Sequence, residues 1–154
     1  MIQRIQTLWL LISAILSGFL MNGAIVNFVD KSGIRYFTGF SGIYKITVSG
    51  KELIISSVPL ASLIILVPLL SVFCTLIFKN RKIQKIITLV LFAFTFCLTI
   101  LIIYYSIIIM KNYNSELVPG IKMAIPLLIM ILVSLAYRGI SRDDKLVKSY
   151  DRLR

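Results

Sequence analysis

The chain contains no histidine, and only six of its 154 residues are acidic. Histidine is the usual general base and the commonest metal ligand, so its absence removes the standard nucleophile–base pairs and most zinc sites. A serine–lysine pair is the remaining option, and its one close candidate, Ser41 with Lys45, is interpreted as an exposed strand face. The sequence therefore predicts a protein that is not an enzyme and has no metal or cofactor site.

Cysteine is also scarce, with Cys74 and Cys97 alone in the chain, and both fall inside long apolar runs. On successive helices rising ~1.5 Å per residue they lie at depths roughly 10 Å apart. That separation is too great for an undistorted disulfide. We interpret both residues as small side chains at helix contacts.

Hydrophobic residues are abundant, at 58% of the chain, where a soluble domain has about 45–50%. No charge lies deep in the long apolar runs, which disfavours a pump or an ion-coupled transporter. For the first run a cleaved signal peptide is the alternative, but Asn22 makes a poor cleavage position. The runs are long enough to cross a hydrocarbon core of ~30 Å, and the predicted spans are residues 5–26, 58–78, 86–110 and 120–138.

Residues 27–57 differ in kind from the spans, because glycines punctuate segments rich in β-branched and aromatic residues. This pattern predicts an antiparallel meander of two or three strands outside the membrane. A lone hairpin is marginally stable in water, so its apolar face should rest on the helix ends or on a partner. The predicted strands are Ile34–Thr38, Ile43–Ser49 and Leu53–Ile55, and the predicted apolar face is Tyr44, Ile46 and Val48.

The C-terminal residues 139–154 combine basic residues with an apolar stripe. Ser141 and Asp144 have the spacing of a capping box, which predicts a short amphipathic helix. The fold predicted overall is an all-α membrane protein. It comprises a four-transmembrane-helix bundle in up-down-up-down order, a small antiparallel β-meander in the first extracytoplasmic loop, and this short amphipathic C-terminal helix.

Positive charge is distributed unevenly between the two predicted sides of the membrane. One side carries both termini, the loop at residues 79–85, and eleven of the 17 basic residues, whereas the outer loops at residues 27–57 and 111–119 and their flanks carry six. Because Lys and Arg are retained on the cytoplasmic side, both termini are predicted to be cytoplasmic in a bacterial inner membrane. The charges cluster at the ends of the spans, so nucleic-acid binding is not predicted.

Three short motifs resemble a known family. They are the start Met-Ile-Gln-Arg-Ile-Gln with Leu8-Trp9-Leu10-Leu11, the loop Phe78-Lys79-Asn80-Arg81-Lys82-Ile83-Gln84, and the ending Asp143 to Arg154. Together they are similar to domain-of-unknown-function family 4293, short four-span membrane proteins of Bacteroidetes. The resemblance covers essentially the whole chain. It implies architecture and location, because the family has no established activity.

The function expected from these features is that of a non-enzymatic structural or accessory subunit of a membrane assembly. Its partners would be the lipid bilayer, anionic lipid headgroups, and another membrane or cytoplasmic protein. Topology alone is the plainer explanation of the charges, and capping of the turn is the plainer explanation of Asn80 and Gln84. The candidate contact residues are Arg4, Asn80, Arg81, Lys82, Gln84, Lys85, Lys148, Arg152 and Arg154.

Two alternatives remain open at this stage. One is a small transporter or channel for a neutral or lipid-like solute, with kinks at Pro68 and Pro126. Its cavity would be lined by Ser62, Ser71, Thr95 and Ser134. The other is recognition of an envelope partner by the outer β-rich loop.

Overall fold

The protein contains both helices and strands. This computed structural model describes residues 5–47, 50–77 and 80–152, and it describes side chains as far as residue 144. A short 3₁₀ turn, Ile121–Ala124, precedes the last helix. The helices are α1 (Ile5–Phe19), α2 (Val58–Leu76), α3 (Arg81–Tyr113) and α4 (Ile125–Arg152), and the strands are β1 (Val26–Asp30), β2 (Arg35–Gly39), β3 (Gly42–Thr47), β4 (Gly50–Ser56) and β5 (Ser115–Val118).

The prediction of an all-α fold is wrong, because a five-stranded antiparallel sheet is present with the order β4-β3-β2-β1-β5. Strands β2 to β4 correspond to the expected meander. Strand β1 begins at Val26, the last residue of the predicted first span, and continues into the predicted outer loop, and β5 has only four residues. Because β5 follows α3 and pairs with β1, the sheet joins the two loops at this end of the helices.

The prediction of four spans is also wrong. The first helix has 15 residues, which gives a length of roughly 22 Å, shorter than a hydrocarbon core of ~30 Å. The chain turns at Gly23, where φ is +74°, and Ile25 and Val26 are then buried in the sheet. Composition could not separate a buried strand from the end of a helix. Within the described residues, three helices are long and apolar enough to cross a membrane: Val58–Leu76, Arg81–Tyr113 and Ile121–Asp144.

A separate short C-terminal helix is absent from the described residues, because α4 runs without interruption from Ile125 to Arg152. Gly139, the first residue of the predicted C-terminal segment, lies inside this helix. It serves close packing, since a Cβ there would lie 3.0 Å from Oε1 of Gln6. Ser141 is therefore within a helix and does not cap one.

The helices have an inverted polarity, with polar groups on their inner faces and large apolar groups outside. On α1, Gln6, Ser13 and Ser17 are buried, whereas Ile15 is 62% exposed. On α3, the buried positions include Gln84, Thr88, Thr95 and Ser106, and the exposed ones include Ile86, Leu89, Phe96 and Ile103. Water would penalise such a surface, but hydrocarbon requires it, because polar groups must find partners inside. The three long apolar helices are thus compatible with membrane insertion.

Helix packing forms a closed sequence of contacts, in which α1 and α3 each touch both α2 and α4. Small side chains bring α1 and α2 together, since the Ser13 hydroxyl lies 3.3 Å from the Ser71 hydroxyl. The centre is filled by fully buried aliphatic residues, among them Leu10, Ile64 and Ile129. Dense aliphatic packing between these helices provides the core against which the sheet is placed.

One face of the sheet packs against the ends of the helices, chiefly the C-terminal end of α3. Tyr36 stacks on Tyr113 with ring centroids 4.5 Å apart, and Phe28 and Ile43 are fully buried. The strand face expected to pack against the helices, which includes Ile46, instead lies on the outer side of the sheet, because Ile46 is 43% exposed. Val48, the third residue of that expected face, lies outside the described residues. The register of strand pairing determines which face of the sheet is buried, because alternate residues of a strand point to opposite faces.

We predict that Gly42→Ala destabilises the sheet by about 2 kcal/mol or more. Gly42 has φ +145°, and a Cβ there would lie 1.9 Å from the carbonyl oxygen of Ile55. Gly18→Ala is the matched control, because a Cβ at Gly18 meets nothing within 4 Å. Denaturant unfolding in detergent, followed by circular dichroism, measures both. Equal midpoints for the two variants would contradict the assigned close approach.

A second prediction concerns alkaline pH. Burial raises the pKa of Tyr36 above its ordinary value of 10.0, and Asp30 and Tyr113 raise it further. The folded state thus favours the neutral phenol, so this contribution is complete below pH 10.0 and is lost as pH rises through the folded-state pKa. We expect Tyr36→Phe to reduce the loss of stability above that pH. Denaturant unfolding in detergent, at pH values on both sides of 10.0, compares this variant with the wild type.

Candidate functional site: a polar junction at the basic end

The turn between α2 and α3 is closed by two amide side chains. Asn80 caps α3, because its Oδ1 accepts a hydrogen bond from the backbone N–H of Ile83 at 3.4 Å. Gln84 reaches back to α2 and donates from Nε2 to the carbonyl of Cys74 at 3.2 Å. That carbonyl lies in the last turn of α2, where helical donors run out. Both amides therefore stabilise the helix ends that flank the turn.

Gln84 lies in a buried polar cluster and is only 1% exposed. The Thr88 hydroxyl donates to the main-chain carbonyl of Gln84 at 2.7 Å and lies 3.2 Å from the sulfur of Cys74. Oε1 of Gln84 is buried without a hydrogen-bond partner among the described residues. An unpaired buried acceptor lowers the free energy of unfolding by about 1–3 kcal/mol. This cluster therefore contains one destabilising atom, Oε1 of Gln84. Cys74 and Cys97 are both free thiols.

A second contact ties the start of α1 to the far part of α4. Gln6 is 3% exposed, and its Nε2 donates to Oδ2 of Asp143 at 2.9 Å. The side chain of Gln6 lies against Gly139, one turn earlier on α4. This hydrogen bond joins residues 137 positions apart in the sequence. It fixes the relative positions of α1 and α4 at this end.

Helix α3 also binds α4 through its basic residues. Arg81 donates from Nη1 to the main-chain carbonyl of Asp143 at 3.0 Å. The ammonium of Lys85 lies 5.7 Å from the ring centroid of Tyr137, within cation–π range. Asp143 is thus held by Gln6 through its side chain and by Arg81 through its backbone. We call the following residues the polar junction: Gln6, Cys74, Arg81, Gln84, Thr88 and Asp143.

The structure brings only some of the expected contact residues together. Among those on α3, Lys82 is exposed, Arg81 and Lys85 are half-buried, and Gln84 is enclosed. Asn80 is exposed and engaged as a helix cap. Lys148 and Arg152 lie on α4 with their side chains beyond the described part, and Arg4 and Arg154 lie outside the described residues altogether. A contact role for these nine residues stays a prediction, although Gln84 now has a structural task.

Electrostatics at the start of α3 is unfavourable without an anion. Arg81, Lys82 and Lys85 occupy its first turns, and no acidic residue lies in the first turn. The N-terminal end of a helix already carries a partial positive charge, so each cation placed there costs about 0.3–1 kcal/mol before screening. Anionic groups at this surface would relieve that repulsion.

Sequence reasoning missed several members of the junction, namely Gln6, Cys74, Thr88 and Asp143. Gln6 is a polar residue on a helix with an apolar outer face, which is a signal for an inward-facing group. Its partner could not be named, because the contact depends on two helices at opposite ends of the chain. Asp143 had been noted only as one acid among the basic residues of the tail.

Comparison with known proteins identifies a family. The family model described as Domain of unknown function (DUF4293) matches residues 2–153, so the chain belongs to this family. A search of curated proteins found no match.

We predict that Gln84→Leu destabilises the protein by less than about 1 kcal/mol net, because losing the donor to Cys74 costs about 1–3 kcal/mol and removing the unpaired Oε1 recovers part of that cost. Leucine removes the donor to the carbonyl of Cys74 while nearly preserving volume, so that carbonyl loses its side-chain partner in an apolar setting. Lys82→Gln, two residues away and exposed, should leave stability unchanged. Thermal unfolding in a neutral detergent compares the two. A Gln84→Leu protein as stable as the wild type would contradict a capping role.

Proposed function

We propose that this DUF4293 protein is a non-enzymatic membrane protein that serves as a structural or accessory subunit of a membrane assembly. Its basic end would contact anionic lipid headgroups. The observation that supports this proposal most directly is the inverted polarity of the helices, in which buried polar groups bond to one another or to backbone.

The helix hydroxyls support a structural role, because they are engaged locally. In each case the hydroxyl donates to a backbone carbonyl three or four residues earlier, which is the usual arrangement in apolar helices. Ser41, the earlier candidate nucleophile, is bonded to the hydroxyl of Tyr44 and not to Lys45. The helix hydroxyls with such bonds are those of Ser13, Ser17, Ser62, Thr75, Thr88, Thr95, Thr99 and Ser106.

The basic end has the layout of a membrane–water boundary. Lys82 is exposed at the start of α3, and Ile86, one turn further along the same face, is 63% exposed. On α4, Arg138 and Arg142 are exposed at successive turns beyond the apolar part of the helix. Cations directly above an apolar surface suit lipid phosphates, each worth roughly 1 kcal/mol. We further propose that this end faces the cytoplasm of a bacterial inner membrane.

The transport alternative receives no support from the positions of its expected lining residues. Ser62 is exposed and bonded to the carbonyl of Pro59, whereas Ser71 is buried against Ser13. Thr95 is bonded to its own helix. Ser62 is thus exposed whereas Ser71 and Thr95 are buried, and we do not propose a solute pathway.

Lipid contact can be tested with a charge-neutralised triple variant, Lys82→Gln with Arg138→Gln and Arg142→Gln. At roughly 1 kcal/mol per cation, binding of anionic lipid should weaken by about 100-fold. The matched control is Lys31→Gln with Arg35→Gln and Lys111→Gln, which removes three exposed cations from the other end. Native mass spectrometry of protein titrated with phosphatidylglycerol measures retained lipid. If both triple variants lose the same amount of bound phosphatidylglycerol, the assignment of the lipid contact to the basic end is wrong.

The accessory role needs a separate measurement. Crosslinking in native membranes, followed by mild-detergent purification, should give one stoichiometric protein partner. A chain that crosslinks only to lipid, at any crosslinker density, would contradict the accessory role and leave the lipid contact standing.

A further inference from the structure

A groove of about 250 Å³ lies at the opposite end of the molecule, between the turn after α1 and the outer face of the sheet. Phe37 and Tyr44 form one wall, stacked with centroids 5.0 Å apart and ring planes 8° from parallel. Met21 and Phe40 provide further apolar surface, and Gly23 and Gly39 complete the lining with Lys51. The groove is separate from the polar junction.

The aromatic wall is held in place by its neighbours. Gly39 allows the ring of Tyr44 to lie flat against the strand, because a Cβ at Gly39 would be 2.8 Å from that ring. The Tyr44 hydroxyl is fixed by its hydrogen bond to Ser41. The ring of Phe37 is covered so fully that only 4% of the residue is exposed. Most of the accessible surface of this wall therefore belongs to Tyr44, which is half-buried.

One ammonium group, that of Lys51, lines the groove, and a second, that of Lys122, lies beside the lining residue Gly23. The Nζ of Lys51 lies 5.7 Å from the ring centroid of Phe37. The Nζ of Lys122 donates to the carbonyl of Asn22 and lies 3.4 Å from the position of a Cβ on Gly23. An ammonium has three N–H donors, so Lys122 keeps two for another acceptor. None of the described residues that line the groove is acidic.

These features define the chemistry of an occupant. Two point-like cations suit a compact anion with several oxygens, such as phosphate, because each ammonium can contact a different oxygen. Met21 and Phe40 suit the first carbons of an attached chain. At about 250 Å³, the groove is smaller than the ~300–1,000 Å³ of a pocket for a drug-sized ligand. It therefore accommodates a headgroup region and not a whole lipid.

We propose that this groove binds the phosphate headgroup of an anionic amphiphile, between Lys51 and Lys122, with the adjoining carbons against Met21 and Phe40. The position supports a membrane lipid as the source. The groove begins at Met21, two residues past the apolar helix α1, so a headgroup there is level with the helix ends. The site is distinct from the basic end and would bind lipid at the opposite surface.

The test uses the full chain in nanodiscs of neutral lipid, titrated with decyl phosphate and followed by phosphorus NMR. Lys51→Gln and Lys122→Gln should each weaken binding about tenfold, because each loses one charge-assisted contact. Lys51→Arg should retain most of the affinity. Lys45→Gln is the matched control: Lys45 pairs with Tyr36 and so projects from the other face of the sheet.

Other probes separate the possible sources of binding. Inorganic phosphate should bind more weakly than decyl phosphate, and decyltrimethylammonium and decanol should not compete with it. If decanoate binds as tightly as decyl phosphate, the preference for phosphate is wrong. If Lys45→Gln weakens binding as much as Lys51→Gln, or if decanol competes equally, the site is not in this groove. The variants of the basic end leave Lys51 and Lys122 intact, so the two lipid sites fail independently.

Discussion

Hydrogen-bond satisfaction inside an apolar helical assembly is the constraint on which the rest of the structure depends. Hydrocarbon offers no donors or acceptors, so each polar group on a membrane-compatible helix must find a partner within the protein. Most helix hydroxyls do so by bonding to their own backbone. The exceptions occur where helices end, and Gln84 illustrates them: its amide serves the orphan carbonyl of Cys74 on another helix. The hydrogen bonds of this kind at Gln84 and Gln6 lie in the polar junction at the basic end.

The two ends of the molecule are built differently. At the basic end, Gln6, Arg81 and Asp143 tie three helices together by direct hydrogen bonds. At the other end, connection is made by backbone pairing, since β1 and β5 bring two separate loops into one sheet. Aromatic stacking of Tyr36 on Tyr113 then attaches this sheet to α3. Each end presents cations to its surroundings, which is why both are proposed to meet anionic headgroups.

Local patterns predicted much of this arrangement. The apolar runs of α2 and α3, the strand segments between Gly33 and Ser56, and the hydroxyl–backbone bonds of Thr88, Thr95 and Thr99 all follow from neighbouring residues. The structural predictions that failed include the end of the first helix and the separate C-terminal helix. At Ile25 and Val26 an apolar run passes from helix to strand with no change in composition, so a buried strand resembled the end of a span. The C-terminal segment from residue 139, expected to form a separate helix, continues α4 instead.

Composition and local pattern were enough to indicate a protein rich in long apolar helices, uneven in charge, and without histidine. Those properties are set by composition and by periods of a few residues. Tertiary structure decided which face of the sheet is buried, where α1 stops, and which polar residues meet. Gln6 and Asp143 lie 137 positions apart in the sequence. Asn27 pairs with Val118 although the helices α2 and α3 lie between them in the chain. Such contacts depend on the relative placement of whole elements, which no local pattern encodes.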